Sequence, residues 1–283
     1  MTTVAGCIVE GTMRLGMGPH AERARADSEM LLMHVLERNK AWLLAHGDDD
    51  VPEERCGPFA EFLERRYRGE PIQHITGTCE FYGLAFKVTQ DVLVPRPETE
   101  HLVEKVIELA QSFEGPRIVD IGTGSGSIAV ALAHKLSSAA ITATDVSESA
   151  LAVAHENATA NGVAGRIRFL HGDLFAPIAG ERFDIIASNP PYVPGTDRDS
   201  IAVEVRDFEP ALALFGGQDG LDIYRRLIPA AHAALVPAGY IALELGFAQA
   251  EAIERLLHAG GFRQIEFTPD LQGIPRVASA QRR

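Results

Sequence analysis

Cysteine is scarce in this chain, and its three examples lie far apart. Cys7, Cys56 and Cys79 form no C-x-x-C pair, and no Cys/His group has zinc spacing. That argues against a disulfide framework or a metal site and points to a reducing, cytoplasmic setting. Long apolar runs are also missing. No stretch approaches membrane-spanning length, and no basic segment followed by an apolar one opens the N-terminus. Positive charge is in deficit: 26 Lys+Arg against 39 Asp+Glu give a formal net charge of −13. A phosphate backbone is therefore disfavoured as main partner, and a basic protein surface is favoured. There is no internal repeat and no low-complexity segment.

What remains is an ordinary globular composition. At 283 residues, 46% hydrophobic and 23% charged, the chain can bury a full core in one large domain or two small ones. Residues 1 to about 70 read as helical. Ala24 to Leu36 alternates apolar and charged faces, Asp48 to Glu54 reads as a loop and helix start, and Pro58 to Arg68 continues the pattern. From Pro71 the character changes, and glycine punctuation suggests a β-hairpin linker as far as Pro95. His74 reads as a structural, hydrogen-bonded residue. Pro97 then opens a helix, and Glu98 and Glu100 suit its first turn.

Beyond Arg117, strand and helix patterns alternate, as in a mainly parallel sheet covered on both faces. Strands are expected at 117–122, 140–145, 166–171, 183–188, 240–246, 262–267 and 276–280. Helices are expected at 127–135, 147–161, 221–235 and 249–259. The long connection from Tyr192 to Asp219 reads as a loop that helps enclose a substrate.

The fourth of these strands runs straight into Asn189-Pro190-Pro191-Tyr192. Two prolines stop both ladder pairing and helix formation, and each holds its predecessor extended. The segment therefore points a carboxamide, main-chain carbonyls and a ring outward from a strand's carboxyl end, where open α/β sheets bind ligands. The side-chain oxygen of Asn189 and the carbonyl of Pro190 suit the two N–H groups of a planar NH2, with Tyr192 covering one face.

Upstream, Gly122-Thr123-Gly124-Ser125-Gly126 follows one strand and opens a helix. Such a loop lets a ligand approach the backbone and offers helix N–H groups to an anion. The dinucleotide pattern would need glycine at 127, where this chain has Ser. Asp145 ends the next strand, where an acid either bonds both ribose hydroxyls or serves the following helix as an N-terminal partner. Asp173 and Leu174 follow the third strand, suited to an adenine amino group and to the adenine ring. A nucleoside cofactor with one carboxylate in place of a pyrophosphate fits this set, and S-adenosyl-L-methionine is that cofactor.

Asp120-Ile-Gly-Thr-Gly-Ser-Gly126 with Asn189-Pro-Pro-Tyr192 resembles the class I S-adenosylmethionine-dependent N-methyltransferases. Pro71-Ile-Gln-His-Ile-Thr-Gly77, Val94-Pro-Arg-Pro-Glu-Thr-Glu100, Glu209-Pro-Ala-Leu-Ala-Leu-Phe-Gly-Gly-Gln-Asp-Gly-Leu221, Leu243-Glu-Leu-Gly246 and Gly273-Ile-Pro-Arg-Val277 narrow the likeness to the HemK/PrmC family. The chain departs from some relatives in having Leu174 and His74 where an aromatic residue is found.

The resemblance implies an α/β, Rossmann-like fold: a seven-stranded, mostly parallel sheet whose last strand is antiparallel. A helical substrate-recognition domain (1–72) and a hairpin linker (73–95) would precede the methyltransferase domain (96–283). It also implies methylation of the side-chain nitrogen, N5, of the glutamine in the Gly-Gly-Gln loop of bacterial class I peptide chain release factors, with S-adenosyl-L-homocysteine as product. In that reading Gly122 to Gly126, Asp145, Asp173, Leu174 and Asn189 contact the cofactor. Asn189, Pro190, Pro191 and Tyr192 bind the glutamine, and Asn189, Pro190 and Tyr192 serve catalysis. A cytoplasmic monomer with no metal, no membrane and no direct nucleic-acid partner is expected.

Three rivals stand beside it: a glutamine of a large-subunit ribosomal protein, adenine N6 of DNA flipped into the same kind of site, and a noncatalytic cofactor sensor. Gly216-Gly217-Gln218 repeats the tripeptide of the implied substrate, and is read as a tight turn.

Overall fold

A computed structural model describes residues 3–283. The first unit begins with α1 (Val4–Leu15), α2 (Ala24–Leu36), α3 (Lys40–Ala45), α4 (Glu53–Tyr67) and α5 (Ile72–Thr76). Side-chain caps set two of the starts. Thr3 accepts from the Gly6 N–H, and Asn39 accepts from the Trp42 N–H. Val4, Leu31, Leu32, Phe59, Leu63 and Ile72 pack as its core.

The structure corrects one expectation here. Residues 72–76, assigned from the sequence to the hairpin, are helical, and the hairpin is only β1 (Thr78–Phe81) and β2 (Leu84–Lys87). Ile72 and Ile75 are both buried and three apart, which is helical spacing. Pro71 starts the turn, and Gly77 ends it in the left-handed conformation at φ 73°.

The second unit continues with α6 (Glu100–Ala110), β3 (Arg117–Ile121), α7 (Ser127–Lys135), β4 (Ala140–Asp145), α8 (Glu148–Ala160), β5 (Ile167–His171) and β6 (Phe183–Ser188). Two short helices, α9 (Val203–Arg206) and α10 (Ala211–Leu214), precede α11 (Asp222–Ala234), β7 (Leu235–Glu244), α12 (Ala250–Ala259), β8 (Phe262–Pro269) and β9 (Pro275–Arg282). By compactness the second unit spans Thr78–Ser200 and Glu209–Arg283, whereas Ile201–Phe208 belongs with the helical unit. Within that helical unit, Arg66 of α4 is buried. Its Nε donates to Asp27 of α2 at 2.6 Å, and its Nη1 donates to Glu204 of α9 at 2.8 Å.

The seven-stranded sheet has the order β5-β4-β3-β6-β7-β9-β8. Every strand runs parallel to the others except β9, which is antiparallel to both of its neighbours. Strand residues alternate between two cores. Ile118, Ile185 and Ala242 face α6 and α7, while Val119, Ile186 and Ile241 face α11 and α12. Strand β7 starts at Leu235, five residues before the expected Tyr240, because a register shift opposite Phe183 and Ile185 admits Ala238 at φ 62°.

The chain leaves β3 in one direction for β4 and β5, then returns to the other side of β3 for β6 and β7. The carboxyl ends of β3 and β6 therefore flank the point where the strand order reverses, which is where a crevice forms.

Candidate active site

That crevice is a cavity of about 410 Å³, lined by the loop after β3, the ends of β4 and β5, and the segment after β6. Gly122, Gly124 and Gly126 all have positive φ, at 73°, 55° and 82°. A side chain at Gly126 would press on Ala154 of α8, with its Cβ 3.0 Å from that of Ala154, so this glycine brings helix and loop together. Around Gly122 and Gly124 a Cβ would meet nothing within 4 Å. The open side of the turn is where a ligand can approach the backbone.

Asp145 holds the turn in place. Its Oδ2 accepts from the Gly124 N–H at 2.8 Å and its Oδ1 from the Ser147 N–H at 2.9 Å. Asp145 therefore serves as helix partner and cavity wall together, and each oxygen keeps a lone pair for a ribose hydroxyl. Beneath the loop, Asp120 is fully buried and accepts the Thr123 hydroxyl at 2.6 Å. Burial pushes its carboxyl up to about 7, against the pull of that hydrogen bond. Asn157 of α8 ties loop to hairpin: its Nδ2 donates to the carbonyls of Ser125 and Lys87, and its Oδ1 accepts from the Lys87 N–H.

Asp173 and Leu174 both line the cavity. Asp173 keeps acceptor capacity for an adenine amino group beside one ion pair. It pairs with Arg226 of α11, which shares the same wall. Leu174 stands at φ 49° and its carbonyl accepts from the Thr144 hydroxyl at 3.3 Å. Val146, next to Asp145 and 47% exposed, supplies apolar wall that sequence reasoning passed over.

Asn189, Pro190 and Pro191 line the opposite wall. Asn189 Nδ2 donates to the Thr99 hydroxyl at 3.2 Å, which aims Oδ1 away from Thr99. Tyr192 does not join them in the wall, contrary to the expectation that its ring covers the substrate amide. A Cβ on Gly246 would lie 2.9 Å from the Tyr192 ring, so ring and backbone are in close contact there. The Tyr192 hydroxyl donates to Glu244 Oε1 at 3.4 Å. Gln249 braces the same turn, with Nε2 donating to the Tyr192 carbonyl and Oε1 accepting from the Gly246 N–H, both at 2.9 Å.

Glu244 and Thr99 are residues the sequence reading missed. Each is buried. The one available signal for Glu244 was a single acid in an otherwise apolar strand, Tyr240 to Leu245. Arg96, another wall residue, donates from Nη2 to both oxygens of Glu209, at 2.7 and 2.6 Å. No group of three or more His, Cys, Asp or Glu among the described residues is arranged to hold a metal. No helix among them is long and apolar enough to cross a membrane.

Residues 98–208 match the family model described as Methyltransferase small domain, and residues 18–77 match PrmC N-terminal domain. Among solved structures, the ribosomal protein L11 methylase from Lactobacillus delbrueckii subsp. bulgaricus is 25% identical. It covers 66% of this chain and 81% of its own, with a TM-score of 0.50. This sheet order, with a glycine loop and an Asn-Pro-Pro segment lining one cavity at the carboxyl ends of adjacent strands, is that of a class I S-adenosylmethionine-dependent methyltransferase. The release factor glutamine methyltransferase of Moorella thermoacetica is 42% identical over 282 residues, 99% of both chains. The one from Bordetella pertussis is 42% identical over 90% of this chain and 93% of its own. The chain belongs to the release factor glutamine methyltransferase family.

Proposed function

We propose that this chain transfers a methyl group from S-adenosyl-L-methionine to N5 of the glutamine in the Gly-Gly-Gln motif of bacterial class I peptide chain release factors, leaving S-adenosyl-L-homocysteine. The observation that carries this reading is the placement of Asn189 and Pro190 across one cavity from the glycine loop. An amide acceptor site and a nucleoside-type site thereby share one space.

The cavity suits the cofactor. The turn at Gly122 and Gly124 is open to a ligand, Asp145 retains acceptor capacity for a ribose, and the wall at Leu174 and Val146 is apolar. When bound, the cofactor supplies an electrophilic methyl group on a sulfonium. The chain's own part is orientation and electrostatics.

A carboxamide nitrogen is a poor nucleophile because its lone pair is delocalised into the carbonyl. Asn189 Oδ1 and the Pro190 carbonyl accept its two N–H groups and hold the nitrogen toward the methyl. Both oxygens carry partial negative charge, so they also favour the positive charge that grows on nitrogen as the bond forms. The proton then lost from nitrogen is acidic enough to pass to water. Tyr192 acts from behind, fixing the turn that carries the two acceptors. The helical unit is the natural place for a protein substrate to be gripped, and a cytoplasmic monomer completes the proposal.

Replacing Asn189 by Ala is expected to lower kcat about 100- to 1,000-fold, as loss of one charge-stabilising group does elsewhere. Cofactor affinity by calorimetry should change little. The substrate is tested with labelled cofactor, a purified release factor, and a copy whose Gly-Gly-Gln glutamine is alanine. Label on the first alone supports the reading. Label on neither, with the cofactor bound, removes the release factor as substrate and directs the assay to large-subunit ribosomal protein.

A further inference from the structure

The cavity occupies only part of the carboxyl edge of the sheet. The glycine loop, Asp145 and Leu174 line it from β3, β4 and β5, and Asn189 and Pro190 line it from the end of β6. Beyond β6 the sheet continues through β7, β9 and β8. Strands β7 and β8 end at this same edge, and β9, antiparallel to both, begins there.

Among the described residues of the second unit, four large apolar side chains stand out in solvent: Val146, Leu212, Phe247 and Leu271. Val146 and Leu212 line the cavity. Phe247, 75% exposed, follows the end of β7, and Leu271, 102% exposed, sits in the turn from β8 to β9. Exposed apolar residues scattered singly over a surface need no explanation, but a gathering at the ligand-binding edge does.

A second pocket, of about 340 Å³, lies here, with Leu245, Phe247, Ala248, Ile274 and Pro275 in its lining. At its rim Glu251 pairs with Arg255 at 2.6 Å, so an apolar centre meets a polar border, as in protein interfaces. The pocket adjoins the Asn-Pro-Pro-Tyr turn, because Gly246, between Leu245 and Phe247, packs against the Tyr192 ring. Both walls are held firmly. Ala248, at φ 62°, takes a left-handed conformation costly for a non-glycine residue and turns the chain just after Phe247. Asp270 fixes the other turn: its Oδ1 accepts from the Gln272 and Ile274 N–H groups at 2.9 and 3.0 Å, and its Oδ2 accepts from Arg276 Nε at 2.9 Å. Rigid turns that keep a Phe and a Leu in water add nothing to the core, but they are preorganised for a partner.

We propose that Phe247, Leu271 and the pocket beside them dock the segment of the protein substrate that flanks the methylated glutamine. The proposal rests on the methyl-transfer reading above. A glutamine whose amide lies on Asn189 and Pro190 brings its main chain with it, and the cofactor fills the side over β3 and β4. The sheet edge next to β6 on the free side is β7, whose end carries Phe247.

The test uses full-length F247S, L271S and the double variant, assayed for kcat and KM with release factor. Both side chains are exposed, so the fold is spared. F247S is expected to raise KM about 10- to 30-fold, the scale of losing an aromatic anchor, and L271S about threefold. With kcat within about twofold of wild type, the loss is of binding shared by ground and transition states. Cofactor affinity should be unchanged. A benzophenone side chain placed at position 247 should crosslink to release factor next to its Gly-Gly-Gln loop.

Wild-type KM in the double variant, or crosslinks only to regions remote from that loop, would overturn the proposal. So would a wild-type dimer that the double variant converts to monomer, since the surface would then serve self-association. If wild type labels no release factor, the substrate reading has failed, and the same variants are assayed on large-subunit ribosomal protein. There a raised KM upholds the docking surface and an unchanged KM overturns it; label on neither protein overturns both.

Discussion

Glu244 shows what a single buried acid does to stability. Its folded-state pKa of about 7 lies above the 4.5 of an unperturbed glutamate. Between those values the folded chain holds a proton that the unfolded chain has released, so lowering pH through this window favours folding. Above about 7 both states are ionised, and the folded one carries the cost of a buried charge. That cost is about 3 kcal/mol, at about 1.4 kcal/mol for each tenfold change in the protonation equilibrium. Wild-type stability should therefore gain up to this much, from this group, as pH falls from about 7 toward 4.5. E244Q should lack the gain in parallel urea titrations; equal pH slopes would contradict the assignment. Asn189 was legible from sequence because a strand that runs into two prolines has few conformations. Glu244 was not: one acid in an apolar strand reads the same whether it is solvated or sealed beneath a turn. Tyr192 was located but misaimed, since spacing along an extended segment does not say which side chain turns back toward the sheet.

The turn Gly216 to Gly220 is the element that holds the Asn-Pro-Pro-Tyr segment from the far side. Val193 and Phe215 form a β-bridge, the Gly216 N–H donates to the Val193 carbonyl at 3.0 Å, and the Gly195 N–H donates to the Gly217 carbonyl at 2.8 Å. A Cβ on Gly216 would lie 2.4 Å from the Pro191 carbonyl oxygen, and one on Gly220 would lie 2.2 Å from that of Tyr192. The two glycines are needed for close approach to the Asn-Pro-Pro-Tyr backbone. Gly217, at φ 91°, is needed as well, since a Cβ there would lie 1.8 Å from Asp222 Oδ2. The Gly216-Gly217 likeness to the implied substrate tripeptide thus has a local cause, and Gln218 is exposed and outside the cavity wall. Gly216→Ala must push backbone against backbone. It is expected to cost about 1–3 kcal/mol in stability, the range for strain at a constrained site, and at least about tenfold in kcat. Cofactor binding should hold, because the glycine loop lies on the other wall. Loss of cofactor affinity in step with kcat would mean the damage is general. Elements with a clear period were legible almost to the residue, as at Phe183–Ser188 and Ala140–Asp145. The failure at 72–76 came where a single helical turn is too short to show a period: Ile72 and Ile75 are helically spaced, but only two apolar residues carry that signal before Gly77 and the hairpin.

At the scale of the whole chain, the least legible feature is that the helical unit is not continuous in sequence. Its buried Arg66 needs two carboxylates, and they come from Asp27, 39 residues before it, and Glu204, 138 residues after it. No composition shift or period marks Ile201–Phe208 as part of that unit; only a long-range ion pair does, and pairing partners are invisible in a single sequence. The unit is therefore incomplete until the chain has been made through Phe208. Removing one partner of a buried pair leaves the other charge desolvated and uncompensated, typically at about 3–5 kcal/mol. Arg66→Met leaves Asp27, which is 1% exposed in its side chain, with Arg23 at 3.5 Å as its remaining cation. Glu204, at 26% exposure, can recover water and loses less. Arg66→Met should thus destabilise the helical unit by an amount near the bottom of that range, because Arg23 still faces Asp27, while Glu204→Gln should cost about 1–2 kcal/mol, as for a partly solvated charged hydrogen bond. Protease cleavage within residues 201–208 should quicken in both variants, since each releases the tie to α4. Equal losses in the two would assign the energy to the Glu204 pairing, and an unchanged cleavage rate would show that Val203 packing, not charge, retains the segment.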